Sequence, residues 1–149
     1  MAKSAASETT MEFCVSFPMP LAASDLAAIT PTRLTDSVAI IGHGTLPLFI
    51  AFLNRGCRSA AELRVGVATP AAEPADLVWI TGIAQPKDCD SAIRMALRRA
   101  GKSGCIAIDA TLLVARRGLD SLIRRLKRLG LHVDSTHNIG TRIVMLAHG

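Results

Sequence analysis

Ser37-Val38-Ala39-Ile40-Ile41-Gly42-His43-Gly44-Thr45-Leu46-Pro47 runs from small and β-branched apolar residues straight into a glycine bend. The apolar run at 37–41 reads as a strand buried on both faces. Gly42 and Gly44 supply the backbone freedom of a tight turn and let a ligand come close to the main chain. Beyond them, residues 46–55 are apolar almost all round and close on Gly56, which predicts a helix packed against a sheet with a glycine C-cap. Pro47 falls in the first turn, where its missing N–H costs little. The start of that helix offers unpaired N–H groups and a partial positive charge toward whatever sits above the bend.

Outward from this unit, strands and helices alternate. Residues 61–67 are an expected second strand, a Pro- and Ala-rich loop follows at 69–74, and 76–81 is a third strand. Residues 91–99 set Ile93, Met95, Ala96 and Leu97 among arginines, an amphipathic helix stopped at Gly101, and 105–109 is a fourth strand. Residues 118–129 place Leu119, Leu122, Ile123, Leu126 and Leu129 at helical spacing, with Arg124, Arg125, Lys127 and Arg128 largely opposite. Residues 131–134 and 142–147 are two last strands whose short connection, containing Asn138 and Gly140, makes them antiparallel. The alternation predicts an α/β fold: a single Rossmann-like three-layer domain with a mainly parallel sheet and an antiparallel C-terminal strand pair. Its length of 149 residues suits one domain. Residues 1–12 read as a flexible tail and 13–149 as the domain, which begins with a short strand at 13–17 and a helix capped by Ser24.

Half of the residues are apolar, yet there are only one Trp, four Phe and no Tyr, so the core must be built from Ala, Leu, Ile and Val. That composition suits helices laid on a buried parallel sheet. The net charge is +5, and its cations gather after Ile93. They read as the solvated faces of two helices rather than as a nucleic-acid surface. Cys14, Cys57, Cys89 and Cys105 lie too far apart in sequence for a zinc or redox motif and are expected as free thiols. The first ten residues carry no apolar stretch of signal-peptide type, and the apolar run at 38–53 is interrupted by Gly42, His43, Gly44 and Pro47. A soluble, cytoplasmic protein without a membrane partner is expected.

Residues 38–56 resemble the first motif of class I S-adenosylmethionine-dependent methyltransferases, where a strand enters a Gly-x-Gly turn and a helix follows. Residues 75–84 are similar to that family's fourth strand and its turn. Residues 96–109 resemble the passage from helix to fifth strand, and 126–147 the closing helix and antiparallel pair. The resemblance implies S-adenosylmethionine as cofactor, held by Gly42, His43, Gly44 and Thr45 at the bend and by Thr81 and Gly82 after the third strand. It also calls for a carboxylate at the end of the second strand to take the ribose hydroxyls, and Glu62 is the one nearby.

The chain departs from the family at two positions near the cofactor. Ile40 stands where an acidic residue is usual, and Leu46 replaces a common third glycine. About 35 residues separate Ile41 from Asp76, roughly a strand and a helix fewer than a full-length member has room for. Three readings therefore stay open: a methyltransferase-like domain that binds S-adenosylmethionine, a non-enzymatic interaction or regulatory module, acting as a homodimer, that has lost the cofactor, and an NAD-binding protein. The last rests on Glu62 lying about 20 residues beyond the bend, as in dinucleotide-binding folds, with Pro47 in place of their third glycine. All ligand-binding readings require the bend to be open, so Leu46, Ile40 and the 69–74 segment must not fill the space above it.

No catalytic residue stands out. Gly82-Ile83-Ala84-Gln85-Pro86 lacks the Asn-Pro-Pro-aromatic motif of amino-methylating enzymes, and Cys89 does not directly follow a proline as the nucleophile of cytosine-C5 enzymes does. His43 reads as a turn residue facing solvent or ligand. His132, His137 and His148 fall in no ligand spacing, so no metal is expected. Asp88, Cys89 and Asp90 are read as preceding a helix, with the acids complementing its dipole.

Overall fold

The computed structural model describes residues 26–30, 36–67 and 73–149. The expected tail at 1–12, the strand at 13–17, the Ser24 cap and most of the 69–74 loop lie outside these residues. Ten elements follow from Ser37 onward: β1 (Ser37–Gly42), α1 (Leu46–Asn54), β2 (Ser59–Leu63), β3 (Ala75–Thr81), α2 (Pro86–Arg99), β4 (Ala100–Asp109), α3 (Thr111–Arg117), α4 (Leu119–Arg128), β5 (His132–Ile139) and β6 (Arg142–His148).

The six described strands lie in one sheet in the order β2-β1-β3-β4-β6-β5. β1 pairs in parallel with β2 and β3, β3 pairs in parallel with β4, and β6 runs antiparallel to both β4 and β5. The mainly parallel α/β sheet with its antiparallel C-terminal pair is thus as expected. From β1 the chain first moves out to β2 and then crosses back to β3 on the other side. This reversal puts a topological switch at the carboxyl ends of β1 and β3, where open α/β sheets bind ligands.

Alternate residues of each central strand feed opposite layers. Ala39, Ile41, Val78, Ile80, Ile106, Ile108 and Met145 share a buried cluster with Ala92, Ile93 and Ala96 of α2 and Leu122 and Leu126 of α4. Val38, Ile40, Leu77, Trp79 and Val144 share the other with Leu48, Ala51 and Phe52 of α1 and with Leu26 and Ala27. Burial on both faces explains why β1 and β3 read as continuous apolar runs instead of alternating ones.

Several boundaries differ from the sequence reading, each for a local reason. β2 starts at Ser59, earlier than expected, and stops at Leu63, because Val65 and Gly66 form a turn. α2 starts at Pro86, five residues before the expected Ser91. Proline suits the first turn of a helix, so Asp88, Cys89 and Asp90 lie inside α2 and do not precede it. Asp88 does sit in its first turn, but Cys89 is buried and Asp90 is occupied by an arginine of α4.

Residues 111–117 form a short helix, α3, that the sequence reading passed over, and Gly118 at φ +83° separates it from α4. β4 begins at Ala100 instead of Cys105, with an irregularity between the Ala75–Ala100 and Leu77–Cys105 pairs that bulges residues 101–104. β5 continues to Ile139, so the connection to β6 is only Gly140-Thr141, with Gly140 at φ +61°. Among the described residues between β1 and β3 there are one helix and one strand, and β2 is the last described strand on that side of the sheet. No helix among the described residues is long and apolar enough to cross a membrane.

Candidate functional site

A cleft of about 400 Å³ opens above the carboxyl ends of β1 and β2. One wall is the bend, Gly42 to Thr45, and the other is the end of β2, Glu62 to Arg64. Parallel pairing fixes this juxtaposition, since Ile40 faces Glu62 and Ile41 faces Leu63 across the ladder. Five of the residues singled out from the sequence therefore meet at one cleft: Gly42, His43, Gly44, Thr45 and Glu62. Thr81 and Gly82 do not line it; they lie behind the bend and hold it from below.

The glycines divide by role. Gly42 has φ +132°, and a Cβ there would overlap the carbonyl oxygen of Thr81, its pairing partner on β3. Gly82 has φ +70°, and a Cβ there would overlap the carbonyl of His43. The His43 N–H also donates to the Thr81 carbonyl at 3.2 Å. Gly42 and Gly82 are accordingly needed for two paired strand ends to run on in close contact, which is a packing requirement. Gly44 is different: at φ +63° it adopts a left-handed turn, and a Cβ there would meet nothing within 4 Å. Of these three glycines, only Gly44 has open space where a side chain would stand.

Thr45 occupies the N-cap position of α1, yet its hydroxyl does not cap the helix. It donates to Oε2 of Glu62, bridging the two walls of the cleft. Pro47 supplies no N–H in the first turn, and the helix start is left without a side-chain cap. A carboxylate has two oxygens with room for several donors, so Glu62 can serve Thr45 and a ligand hydroxyl together. His43 is exposed at the bend. Arg64, which the sequence reading did not single out, adds a cation to the β2 wall; its only signal was a basic residue directly after a strand end.

Of the three groups that could block the cleft, Ile40 and Leu46 stand elsewhere, and most of the 69–74 segment lies outside the described residues. Ile40 is fully buried in the core beneath α1, and Leu46 is 56% exposed on the outside of that helix.

A second polar cluster at the same sheet edge was also missed. Asp109 ends β4 and is buried, and its carboxylate accepts from the Thr111 N–H at 3.2 Å, the Thr111 hydroxyl at 2.6 Å and Arg142 at 2.5 Å. Thr111 in turn accepts from the Ile143 N–H at 3.0 Å. The network ties the end of β4 to the beginning of β6. A charged residue closing an otherwise apolar strand was the signal. Among the described residues no group of His, Cys, Asp and Glu could hold a metal ion. Cys57, Cys89 and Cys105 are free thiols.

No protein-family model matches the chain, and no curated protein matches it significantly in sequence. Solved structures do resemble it. The mitomycin 7-O-methyltransferase MmcR superposes with a TM-score of 0.65 at 14% identity, covering 87% of this chain and 53% of that one. NcsB1, an O-methyltransferase from neocarzinostatin biosynthesis solved with S-adenosylmethionine and 2-hydroxy-5-methyl naphthoic acid, gives 0.66 at 16% identity, covering 98% and 57%. The glycopeptide N-methyltransferase MtfA gives 0.67 at 13% identity, covering 86% and 89%. The chain spans about half the length of the first two. Its sheet order, its switch at β1 and β3 and these superpositions agree: the chain has the fold of the class I S-adenosylmethionine-dependent methyltransferases.

Proposed function

We propose that this methyltransferase-like domain binds S-adenosylmethionine or its demethylated product S-adenosylhomocysteine in the cleft between the Gly42–Thr45 bend and Glu62. The observation that carries the reading is the carboxylate of Glu62 placed across an open cleft from Gly44. Glu62 would accept from the ribose hydroxyls, and the backbone at Gly44 and Thr45 would lie along the cofactor. When bound, the cofactor supplies an electrophilic methyl group on a sulfonium. The protein's part is to hold and orient it, since transfer depends mainly on positioning and on the surrounding charge.

The solved complexes of NcsB1 with S-adenosylmethionine and with S-adenosylhomocysteine support this choice of ligand over NAD. Ile40 in the core leaves no carboxylate at that position for the amino-acid end of the cofactor, which argues for weak binding. Titration calorimetry with S-adenosylmethionine, S-adenosylhomocysteine and NAD tests the assignment. Binding of the first two alone is expected, and no heat from either at millimolar concentration would overturn it.

One observation favours a second reading, a non-enzymatic module that acts as a homodimer. Leu46, Ile50 and Leu53 are 56%, 46% and 48% exposed and recur along one side of α1. Such an apolar stripe suits pairing with a second copy. Light scattering distinguishes the cases: a dimer that Ile50→Glu converts to monomer supports the second reading, and a monomeric parent protein excludes it.

A further inference from the structure

Away from the Gly44 cleft, α2, α3 and α4 enclose a second cavity of about 50 Å³. Its floor is apolar, made by Ala84, Pro86, Leu113 and Leu122. The Cys89 thiol also reaches it, and burial pushes that thiol up to about 11, so the floor carries no charge near neutrality. A single water needs roughly 10–15 Å³ of such space, so the cavity has room for about four water-sized groups, the size of a short branched alkyl group.

The rim is cationic, and its arginines are in two different states. Arg116 donates to Oε1 of Gln85 at 3.2 Å, and Arg125 makes a two-pronged contact with Asp90, both bonds at 2.7 Å. Those two are held in place and Arg125 is neutralised. Arg117 and Arg128 line the same cavity with no hydrogen bond or ion pair among the described residues. An apolar floor thus lies beneath two guanidinium forks without partners among the described residues, and the geometry of such a fork matches the two oxygens of a carboxylate.

We propose that this cavity is a binding site for a short branched aliphatic carboxylate, its alkyl end on the Leu113–Leu122 floor and its carboxylate at Arg117 and Arg128. The same chemistry is presented by a free branched-chain acid and by the carboxyl terminus of a peptide ending in Val. The site is independent of the Gly44 cleft and does not rest on the cofactor assignment.

The test is titration of isotope-labelled full-length protein, followed by amide shifts, with isovalerate, isovaleramide, inorganic phosphate and a short peptide ending in Val. Isovalerate should shift residues of α3 and α4 saturably in the millimolar range, isovaleramide should not, and phosphate should bind more weakly. Arg117→Gln with Arg128→Gln should weaken isovalerate by about tenfold. Both side chains are exposed, so the double variant should keep its melting temperature. Ser121→Trp, which obstructs the cavity without removing charge, should abolish binding. Tighter binding of the peptide assigns the natural source to a chain terminus, and tighter binding of isovalerate assigns it to a free acid.

Saturation by isovaleramide, equal affinity for phosphate, or isovalerate binding unchanged in the double variant would each overturn the proposal. So would preferential binding of single-stranded RNA at the same residues. S-adenosylhomocysteine, titrated into the same double variant, should bind as it does to the parent protein, which keeps failure of this site separate from failure of the cofactor assignment.

Discussion

The main chains of Gly42 and Thr81 lie side by side at the carboxyl ends of β1 and β3 so closely that no side chain fits on Gly42. Gly44, two residues on, meets nothing. One motif thus contains a glycine required for packing and a glycine facing open space, and substitution separates them. Gly42→Ala should cost about 4 kcal/mol or more, through overlap with backbone and a left-handed φ. Gly44→Ala should cost only about 1–2 kcal/mol, the penalty of a left-handed residue. Urea denaturation of both variants checks the contrast, and equal losses would contradict it.

Glu62 should matter for ligand and little for folding, because it is exposed and its described hydrogen bond is to Thr45. Glu62→Gln keeps the shape and removes the charge. Affinity for S-adenosylhomocysteine should fall by about tenfold, as charge-assisted hydrogen bonds to ribose are lost. The melting temperature should stay within a degree or so. Calorimetry and thermal unfolding on the same sample provide both readings.

The Asp90–Arg125 pair gives a signed pH dependence. The hydrogen bonds from Arg125 hold the Asp90 carboxyl below its ordinary range, against a smaller opposing effect of burial. Its contribution to stability is therefore fully present above the ordinary carboxylate pKa, about 3.9, and is lost as pH falls through the lower folded-state value. In Asp90→Asn that contribution should be missing. The gap between the urea midpoints of parent and variant should be widest near neutral pH and should close in strong acid. A gap that is constant with pH would contradict the assignment.

Asp109 is buried with three donors on its carboxylate, two from Thr111 and one from Arg142. Asp109→Ala removes the common acceptor and should cost about 3 kcal/mol, as breaking a buried ion pair commonly does. Loosening should be concentrated where β4 meets β6, since Ala110 and Ile143 are joined there by a backbone hydrogen bond of 2.8 Å. Hydrogen exchange at Ala110 and Ile143 reads the local part, and urea denaturation the global part.

Where burial is two-sided, the fold could be read from residues alone. The run from Ser37 into Gly42 had no alternative that buried so many apolar side chains, and the helix after it was marked by Pro47 and Gly56. Elements defined by contacts were harder to see. α3 is only seven residues long and exposes much of its surface, so Thr111 to Arg117 showed no clear period. The early start of α2 turned on Pro86, which can equally end a loop or open a helix.

The grouping of residues at the candidate cleft was legible in part for a related reason. Gly42, His43, Gly44 and Thr45 are contiguous, whereas Glu62 needed the parallel register of β1 and β2 to bring it opposite them. Thr81 and Gly82, which the resemblance places at the ligand, touch the bend through backbone atoms, a contact that sequence does not reveal. Arg142 finds Asp109 across 33 positions of chain, a pairing that only the order of the sheet creates.

The most direct test of the whole account follows the backbone amides of Gly44 and Thr45 while S-adenosylhomocysteine is added to the labelled protein. Saturable shifts at Gly44, Thr45 and Glu62, with residues 113–128 unmoved, are the predicted result. Unchanged signals at these three residues, or saturable shifts confined to other parts of the chain, would contradict it.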